Sequence, residues 1–277
     1  MNVGILLNSS KAVDIPSLAE MTAILKDGGA HVLTDSETVC RICSEKVSSS
    51  RLYEQAELLI VFGGDGTLLS AAKCAAPHGA AVLGINLGRL GFLTEAEVSD
   101  LRQVACAILA GDYSVENRMM LTAAMPDGSR FTAMNDVVVS RNESLSIIRC
   151  DVSIDGRHFD SYGADGILAA TPTGSTAYSL SCGGPAINPK LDCIVLSPIC
   201  PHSFRARPMV LSPQEEVMLG VDFSSRSARV DIDGIYVGDI APGEHVLVKK
   251  SGLSAKFARL RERSFYGVLR SKLMEQV

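Results

Sequence analysis

Asp65 is the residue that calls for a chemical explanation. It stands in Gly63-Gly64-Asp65-Gly66-Thr67, after the uncharged run Leu58–Phe62 and before Leu68–Lys73, which reads as a helix. A strand, a glycine turn and a helix N-terminus make an anion site, because bare amide N–H groups meet the positive end of the helix dipole. Gly63, Gly64 and Gly66 let a phosphate come close, since no Cβ stands in the way. A carboxylate in such a cradle repels the ligand unless it holds a metal or accepts a proton. That conflict points to phosphoryl transfer rather than plain nucleotide binding. The bland alternative is an ordinary βα turn, but G-G-D-G-T directly after an apolar strand is rare by chance.

Two further groups carry chemistry. Asn135-Asp136 lies inside M-N-D-V-V-V. Adjacent amide and acid side chains at the start of a strand cap or bind something. Asp136 can accept from a ribose diol, and Asn135 can donate and accept on a base or ribose. The third group is Tyr162–Pro185, Y-G-A-D-G-I-L-A-A-T-P-T-G-S-T-A-Y-S-L-S-C-G-G-P. Its hydroxyls (Thr171, Thr173, Ser175, Thr176, Ser179, Ser181) and glycines suit close polar contact with a nucleotide. Tyr178 can stack on a ring, and Asp165 can accept from an amide or amine. A Ser/Thr-rich surface loop is the bland reading of the same stretch.

The elements around these groups change grammar partway along. Val3–Leu7 reads as a first strand and Asn8-Ser9-Ser10 as its exit loop. Ile15–Lys26 has helical spacing and ends at Gly28-Gly29; Ala30–Leu33 is a short strand. Thr34–Arg51 is polar and weakly patterned. Ala80–Ile85 is another buried strand, followed by a second glycine-rich loop, Asn86–Thr94. Ser99–Leu109 reads as a helix with Ser99 as its N-cap and Gly111 as its stop. This order gives an α/β, doubly wound N-terminal domain, whose ligands bind at strand C-terminal ends. After Asp112 the pattern becomes mostly antiparallel β. Arg118–Met125 should pair with Arg130–Arg141, and Ile147–Ile154 with Arg157–Phe159, each across an Asp-Gly turn. Further strands are expected at Gly166–Ala170, Cys193–Pro198, Pro208–Leu211, Val217–Val221, Ala228–Ile232 and His245–Lys250. The tail, Ser264–Val277, reads as an amphipathic helix. The expected domains are 1–110 and 111–254, with 255–277 returning to the first.

Bulk properties exclude several classes. The 277 residues carry a net charge of −5, which argues against a general nucleic-acid binder. No apolar run reaches the length of a membrane span, and the N-terminus lacks the pattern of a signal peptide, so a cytoplasmic protein is expected. Cys40 and Cys43 form one C-x-x-C without a second pair or nearby histidine, and reduced thiols are the expected state.

The motifs G-G-D-G-T, N-D, D-G-I-L-A-A-T-P-T-G-S-T-A-Y-S-L-S-C-G-G-P, G-R-L-G-F-L-T at Gly88–Thr94 and R-P-M-V-L at Arg207–Leu211 occur in this order. Together they resemble the NAD kinase family, over nearly the whole chain. The resemblance implies an α/β domain plus a C-terminal β-sandwich-like domain, with the active site between them, in a homo-dimer or homo-tetramer. It implies NAD and ATP as ligands. Asp65 becomes the base for the 2′-hydroxyl of the adenosine ribose; Gly63, Gly64, Gly66 and Thr67 contact phosphates. Asn135 and Asp136 hold NAD, Asp136 through ribose hydroxyls. Asp165, Thr173 and the segment Thr176, Ala177, Tyr178 to Ser181 bind base and nicotinamide portions. The chain differs from the family pattern at Gly163-Ala164, Asp136, Cys182 and Ile235.

No lysine stands within the turn, so Mg²⁺ bridging the donor phosphates is expected to offset the charge of Asp65, with no protein metal ligand assigned. A carboxylate is too weak a base to ionise a ribose hydroxyl beforehand, so the proton should move late in transfer. Two other readings stay open: a lipid kinase of the diacylglycerol or sphingosine type, which carries a similar G-G-D-G-T, and a non-catalytic dinucleotide sensor.

Overall fold

A computed structural model describes residues 1–8, 11–42, 45–88, 91–142, 147–203, 205–262 and 264–274. Ser9, Ser10, Cys43, Arg89 and Leu90, named above, lie outside the described residues. The chain divides into two compact units, Met1–Asn117 with Ala255–Val277, and Arg118–Ser254. The sequence suggested a division at Ala110, where a helix stops. The strand that opens at Ser114 crosses the observed division without a break in pattern.

The first unit alternates strands and helices. These are β1 (Asn2–Leu7), α1 (Ile15–Asp27), β2 (His31–Thr34), α2 (Glu37–Cys40), β3 (Glu45–Lys46), α3 (Ser49–Gln55) and β4 (Leu58–Gly63). After them come α4 (Asp65–Ala75), β5 (Ala81–Asn86), β6 (Ala96–Glu97) and α5 (Leu101–Ala110). The stretch 34–51, weakly patterned in sequence, holds two short helices and a two-residue strand. Ser36 and Ser48 cap the helices through their side chains. The sheet is parallel, in the order β3-β2-β1-β4-β5. Every residue of β4 and β5 is buried, as uncharged strands covered on both faces must be. The order reverses between β1 and β4, and ligands of open α/β sheets bind outside the strand C-termini at that point. Asn8 leaves β1 there and Gly64 leaves β4.

Ser99 is not the cap of α5. A 3-10 turn at Val98–Asp100 precedes that helix, and the Asp100 carboxylate accepts from the Glu97 amide at 3.1 Å. Gly111 does end it, with φ of 68°, the left-handed cap that glycine adopts without strain.

The second unit is antiparallel. Its strands are β7 (Ser114–Ala124, begun in the first unit), β8 (Arg130–Ala133), β9 (Asp136–Arg141), β10 (Ile148–Ile154), β11 (Arg157–Ala164) and β12 (Gly166–Ala170). Helix α6 (Tyr178–Ser181) follows, then β13 (Ile194–Ile199), β14 (Met209–Leu211), β15 (Val217–Val221), β16 (Ala228–Ile232), β17 (Ile235–Ile240) and β18 (His245–Arg259). One sheet runs β14-β13-β12-β9-β16-β17; the other includes β11-β10-β15-β18. Val137, Ile167 and Val230 of the first share one core with Ile148, Leu219 and Val246 of the second, which makes a sandwich.

The expected single strand Arg130–Arg141 is two strands in two sheets. β8 pairs with β7, whereas β9 lies between β12 and β16. The chain changes sheets at Met134-Asn135. The Asp-Gly turns at Asp127-Gly128 and Asp155-Gly156 join β7 to β8 and β10 to β11 as expected, and a third at Asp233-Gly234 joins β16 to β17, a strand the sequence reading missed.

β18 is longer than its expected six residues because its far end serves the first unit, where Lys256 and Phe257 lie parallel to β5. Just beyond, the side chain of Arg259 is only 12% exposed. Its Nη1 donates to Leu93 O at 2.8 Å and to Glu95 Oε2 at 3.2 Å, and its Nε donates to Glu116 Oε2 at 3.1 Å. The carboxylate of Glu95 is almost wholly buried, so Arg259 is what makes its burial affordable. The tail forms α7 (Phe265–Met274). Replacing Arg259 with Met leaves that charge buried without its guanidinium. Stability to urea should then fall by about 3–5 kcal/mol, with Arg259→Lys in between because it keeps the charge and loses the fork.

Candidate active site

The glycines of the first motif divide into two kinds. A Cβ on Gly63 would run into the side chain of Thr67, so Gly63 serves packing within the turn. Among the described residues, a Cβ on Gly66 would meet no atom from elsewhere in the chain within 4 Å, and one on Gly64 would meet only the ammonium of Lys11, at 3.9 Å. Gly64 is the N-cap of α4 and carries no side chain to cap it, so the first amides of the helix face open space with the positive end of its dipole. The Thr67 hydroxyl accepts from Asn8 Nδ2 at 2.8 Å, which orients its own hydrogen away.

Lys11 changes the charge balance read from the sequence. No lysine occurs inside the turn, but Lys11 arrives from the loop after β1 and reaches the notch between Gly64 and Gly88, 3.6 Å from a Cβ position on the latter. It makes no ion pair among the described residues.

Asp65 occupies the first position of α4. Its Oδ2 accepts from the Phe92 amide at 2.8 Å, and its Oδ1 from the Leu93 amide at 3.1 Å. Each oxygen keeps lone-pair capacity for another donor. The segment that supplies these amides is the second glycine loop of the sequence. It is fixed in turn: Gly91 N donates to Thr94 Oγ1, and Glu95 N donates to Gly84 O on β5.

In the second unit, the cleft beside β9 has a volume of about 410 Å³ and brings together Asn135, Asp136, Ala177 and Tyr178, with Asp231 and Asp233. Asp136 opens β9 opposite Ala170 of β12. Its side chain is 5% exposed. Burial, and then the negative charges of Asp233 and Asp231, push its carboxyl up to about 7. Asp233 is the residue that holds this corner. With φ of 51° at the β16–β17 turn, it aims its carboxylate at the sheet-changing backbone. There it accepts from Met134 N at 3.0 Å, Asn135 N at 2.7 Å and Asp136 N at 3.3 Å. Asp231 is bound by both Nε and a terminal nitrogen of Arg229. Neither acid was singled out in the sequence, although D-I-D-G, with acids on alternate positions ahead of an Asp-Gly turn, was a readable signal.

The hydroxyl block has a large structural component. Thr171 Oγ1 donates to Met134 O at 2.6 Å, Ser175 Oγ to Pro172 O at 2.6 Å, and Ser179 and Ser197 share a hydrogen bond. A Cβ on Gly174 would collide with the backbone of Asn135, so that glycine lets the Thr171–Ser175 turn close on the start of β9. Thr173 Oγ1 accepts from Arg118, and Thr176 Oγ1 donates to Thr173 O. Asp165 pairs with Arg141 at 3.1 Å. Asp165, Thr173, Thr176 and Ser181 do not line the cleft, whereas Ala177 and Tyr178 do; Tyr178 is 44% exposed. Among the described residues no group of three or more His, Cys, Asp or Glu side chains is gathered to hold a metal ion. No helix among them is long and apolar enough to cross a membrane.

Comparison with known proteins agrees with both halves. The family described as ATP-NAD kinase N-terminal domain matches residues 36–113, and that described as ATP-NAD kinase C-terminal domain matches residues 134–260. The NAD kinase of Desulforamulus reducens is 37% identical over 279 aligned positions, covering 99% of this chain and 97% of that protein. The NAD kinase of Heliobacterium modesticaldum is 46% identical over 225, covering 80% of each. Among solved structures, an NAD kinase from Archaeoglobus fulgidus in complex with ATP superimposes with a TM-score of 0.76 at 25% identity, over 99% of both chains. Yeast NADH kinase complexed with NADH gives 0.85 at 24% identity, over 98% of this chain and 85% of that one, a likeness of fold. The chain belongs to the NAD kinase family.

Proposed function

We propose that the protein is an NAD kinase, transferring a phosphoryl group from ATP to the 2′-hydroxyl of the adenosine ribose of NAD and releasing NADP. The observation that carries this reading is the carboxylate of Asp65, held by two backbone amides at the mouth of an uncapped helix in a chain of this family. Full-length similarity to NAD kinases disfavours a lipid kinase, and the acid retained in the glycine turn, Asp65, disfavours a non-catalytic sensor.

The donor phosphates lie on the amides from Gly64 to Thr67, with Lys11 supplying the positive side chain that the turn itself lacks. Mg²⁺ carried on the ATP phosphates would supply charge neutralisation in a loose transition state, the turn itself offering it the single carboxylate of Asp65. Asp136 and Asn135 receive the dinucleotide, Asp136 as acceptor for ribose hydroxyls, with Tyr178 as a stacking face. Asp65 orients the 2′-hydroxyl and takes its proton as the new bond to phosphorus forms, which suits a base too weak to act earlier. Asp165, Thr173, Thr176 and Ser181, which do not line the cleft, are proposed for the base and nicotinamide portions of NAD. We also propose a cytoplasmic homo-dimer or homo-tetramer, an assembly that light scattering on the purified protein reads directly.

The defining test is incubation with ATP, Mg²⁺ and NAD, with NADP read by a dehydrogenase that accepts only NADP. NADPH should accumulate, and Asp65→Asn should lower kcat by roughly 10²–10⁴-fold while the KM for NAD changes little. Lys11→Met should raise the KM for ATP about tenfold, as loss of one charge-assisted contact of roughly 1.5 kcal/mol implies, and leave the KM for NAD unchanged.

Asp136 predicts a pH dependence with a definite sign. Its folded carboxyl holds a proton up to about pH 7, whereas the unfolded one ionises from its ordinary value of 3.8. Between those values the native state binds more protons, so stability falls as pH rises from 4 to 7 and then levels. Ribose hydroxyls donate best to the ionised form, so affinity runs the other way. The Kd for NAD at pH 6 should be about tenfold weaker than at pH 8. Calorimetric titration and thermal melts over this range check both, and Asp136→Asn should flatten each profile.

A further inference from the structure

We infer that Gly91 is a positioning residue for Asp65: it is glycine so that the carboxylate can lie against the backbone of the following loop. The inference rests on the proposed role of Asp65 in phosphoryl transfer. The reason for a glycine at this position lies across space. A Cβ built on Gly91 has Cγ, Oδ1 and Oδ2 of Asp65 as its three nearest atoms, all closer than real Cβ contacts come.

From Leu93 onward the loop is held in place. Its Leu93 O is held by Arg259 at 2.8 Å, its Glu95 N by Gly84 O at 2.8 Å, and Thr94 is 1% exposed, packed where Gly84 has no side chain. Asp65 is the movable partner. Displaced by a methyl group at position 91, its carboxylate must leave the Phe92 and Leu93 amides and turn toward the open mouth of the helix. There it competes with the donor phosphates and no longer faces the acceptor hydroxyl. A misplacement of about 1 Å at a reacting group is enough to lower a rate 10²-fold.

A double-mutant cycle tests this with wild type, Gly91→Ala, Asp65→Ala and the double variant. Gly91→Ala should lower kcat about 10²-fold with the KM for NAD within about twofold. The double variant should be no slower than Asp65→Ala alone, because the group that Gly91 positions is already gone. The melting temperature should show the same coupling. Gly91→Ala lowers it by about 2–4 °C for each kcal/mol of strain when Asp65 is present, and leaves it unchanged in the Asp65→Ala background. Rate losses that add in full would overturn the inference, and so would coupled melting with an unchanged kcat, which reduces the contact to packing. If the wild-type protein forms no NADP, the proposed function fails on its own. The melting cycle then tests the contact alone: coupling shows that Gly91 makes room for the Asp65 carboxylate, additivity overturns even that, and the catalytic part of the inference falls with the proposed function.

Discussion

The two amide hydrogen bonds to Asp65 are the constraint on which the first unit turns. A carboxylate at the first residue of a helix would ordinarily swing freely beside the N-terminal amides, where it would occupy the place of an anion. Here the amides of Phe92 and Leu93 draw it to one side, and the first turn of α4 stays open. The residues beside those amides are themselves held, Glu95 by Gly84 of β5 and Leu93 by Arg259. Arg259 belongs to the segment that returns after the whole of the second unit has been made, so the phosphate turn is completed by residues nearly two hundred positions away in sequence.

The second unit solves a related problem with the same kind of group. β9 begins where the chain abandons one sheet for another, and three successive backbone amides there would lack partners. The carboxylate of Asp233 accepts from all three. This leaves the adjacent Asp136 carboxyl buried beside two acids, and burial and their charges raise it to about 7. A buried acid beside like charges is costly and is relieved by a ligand that brings hydroxyls. Stability of the free protein is thereby given up in the cleft that Asn135 and Asp136 line.

Much of this was legible in the sequence. Uncharged runs located β4 and β5, the Asp-Gly pairs located hairpin turns, and G-G-D-G-T, N-D and T-P-T-G-S-T-A-Y marked the chemistry. What misled was treating pattern as a local property. Arg130–Arg141 alternates like one strand and is two, because the break falls at residues whose partners come from Asp233. The hydroxyls of Thr171, Ser175 and Ser179 read as ligand contacts and serve the turn's own backbone and a neighbouring strand. Ser99 had the right chemistry for a cap, yet the helix starts two residues later after a 3-10 turn.

The sequence by itself determined the two-part architecture, the glycine turn after β4, the acid within it and the adjacent amide and acid that open β9. Those features depend on residues adjacent in the chain, where spacing and side-chain chemistry act directly on local structure. Only the tertiary structure decided which glycine serves which purpose, that Lys11 supplies the missing positive charge, that Asp233 supports Asn135-Asp136, and that Gly91 makes room for Asp65. Each of these is a contact between residues far apart in sequence, set by how strands align and loops close, and no local spacing encodes it.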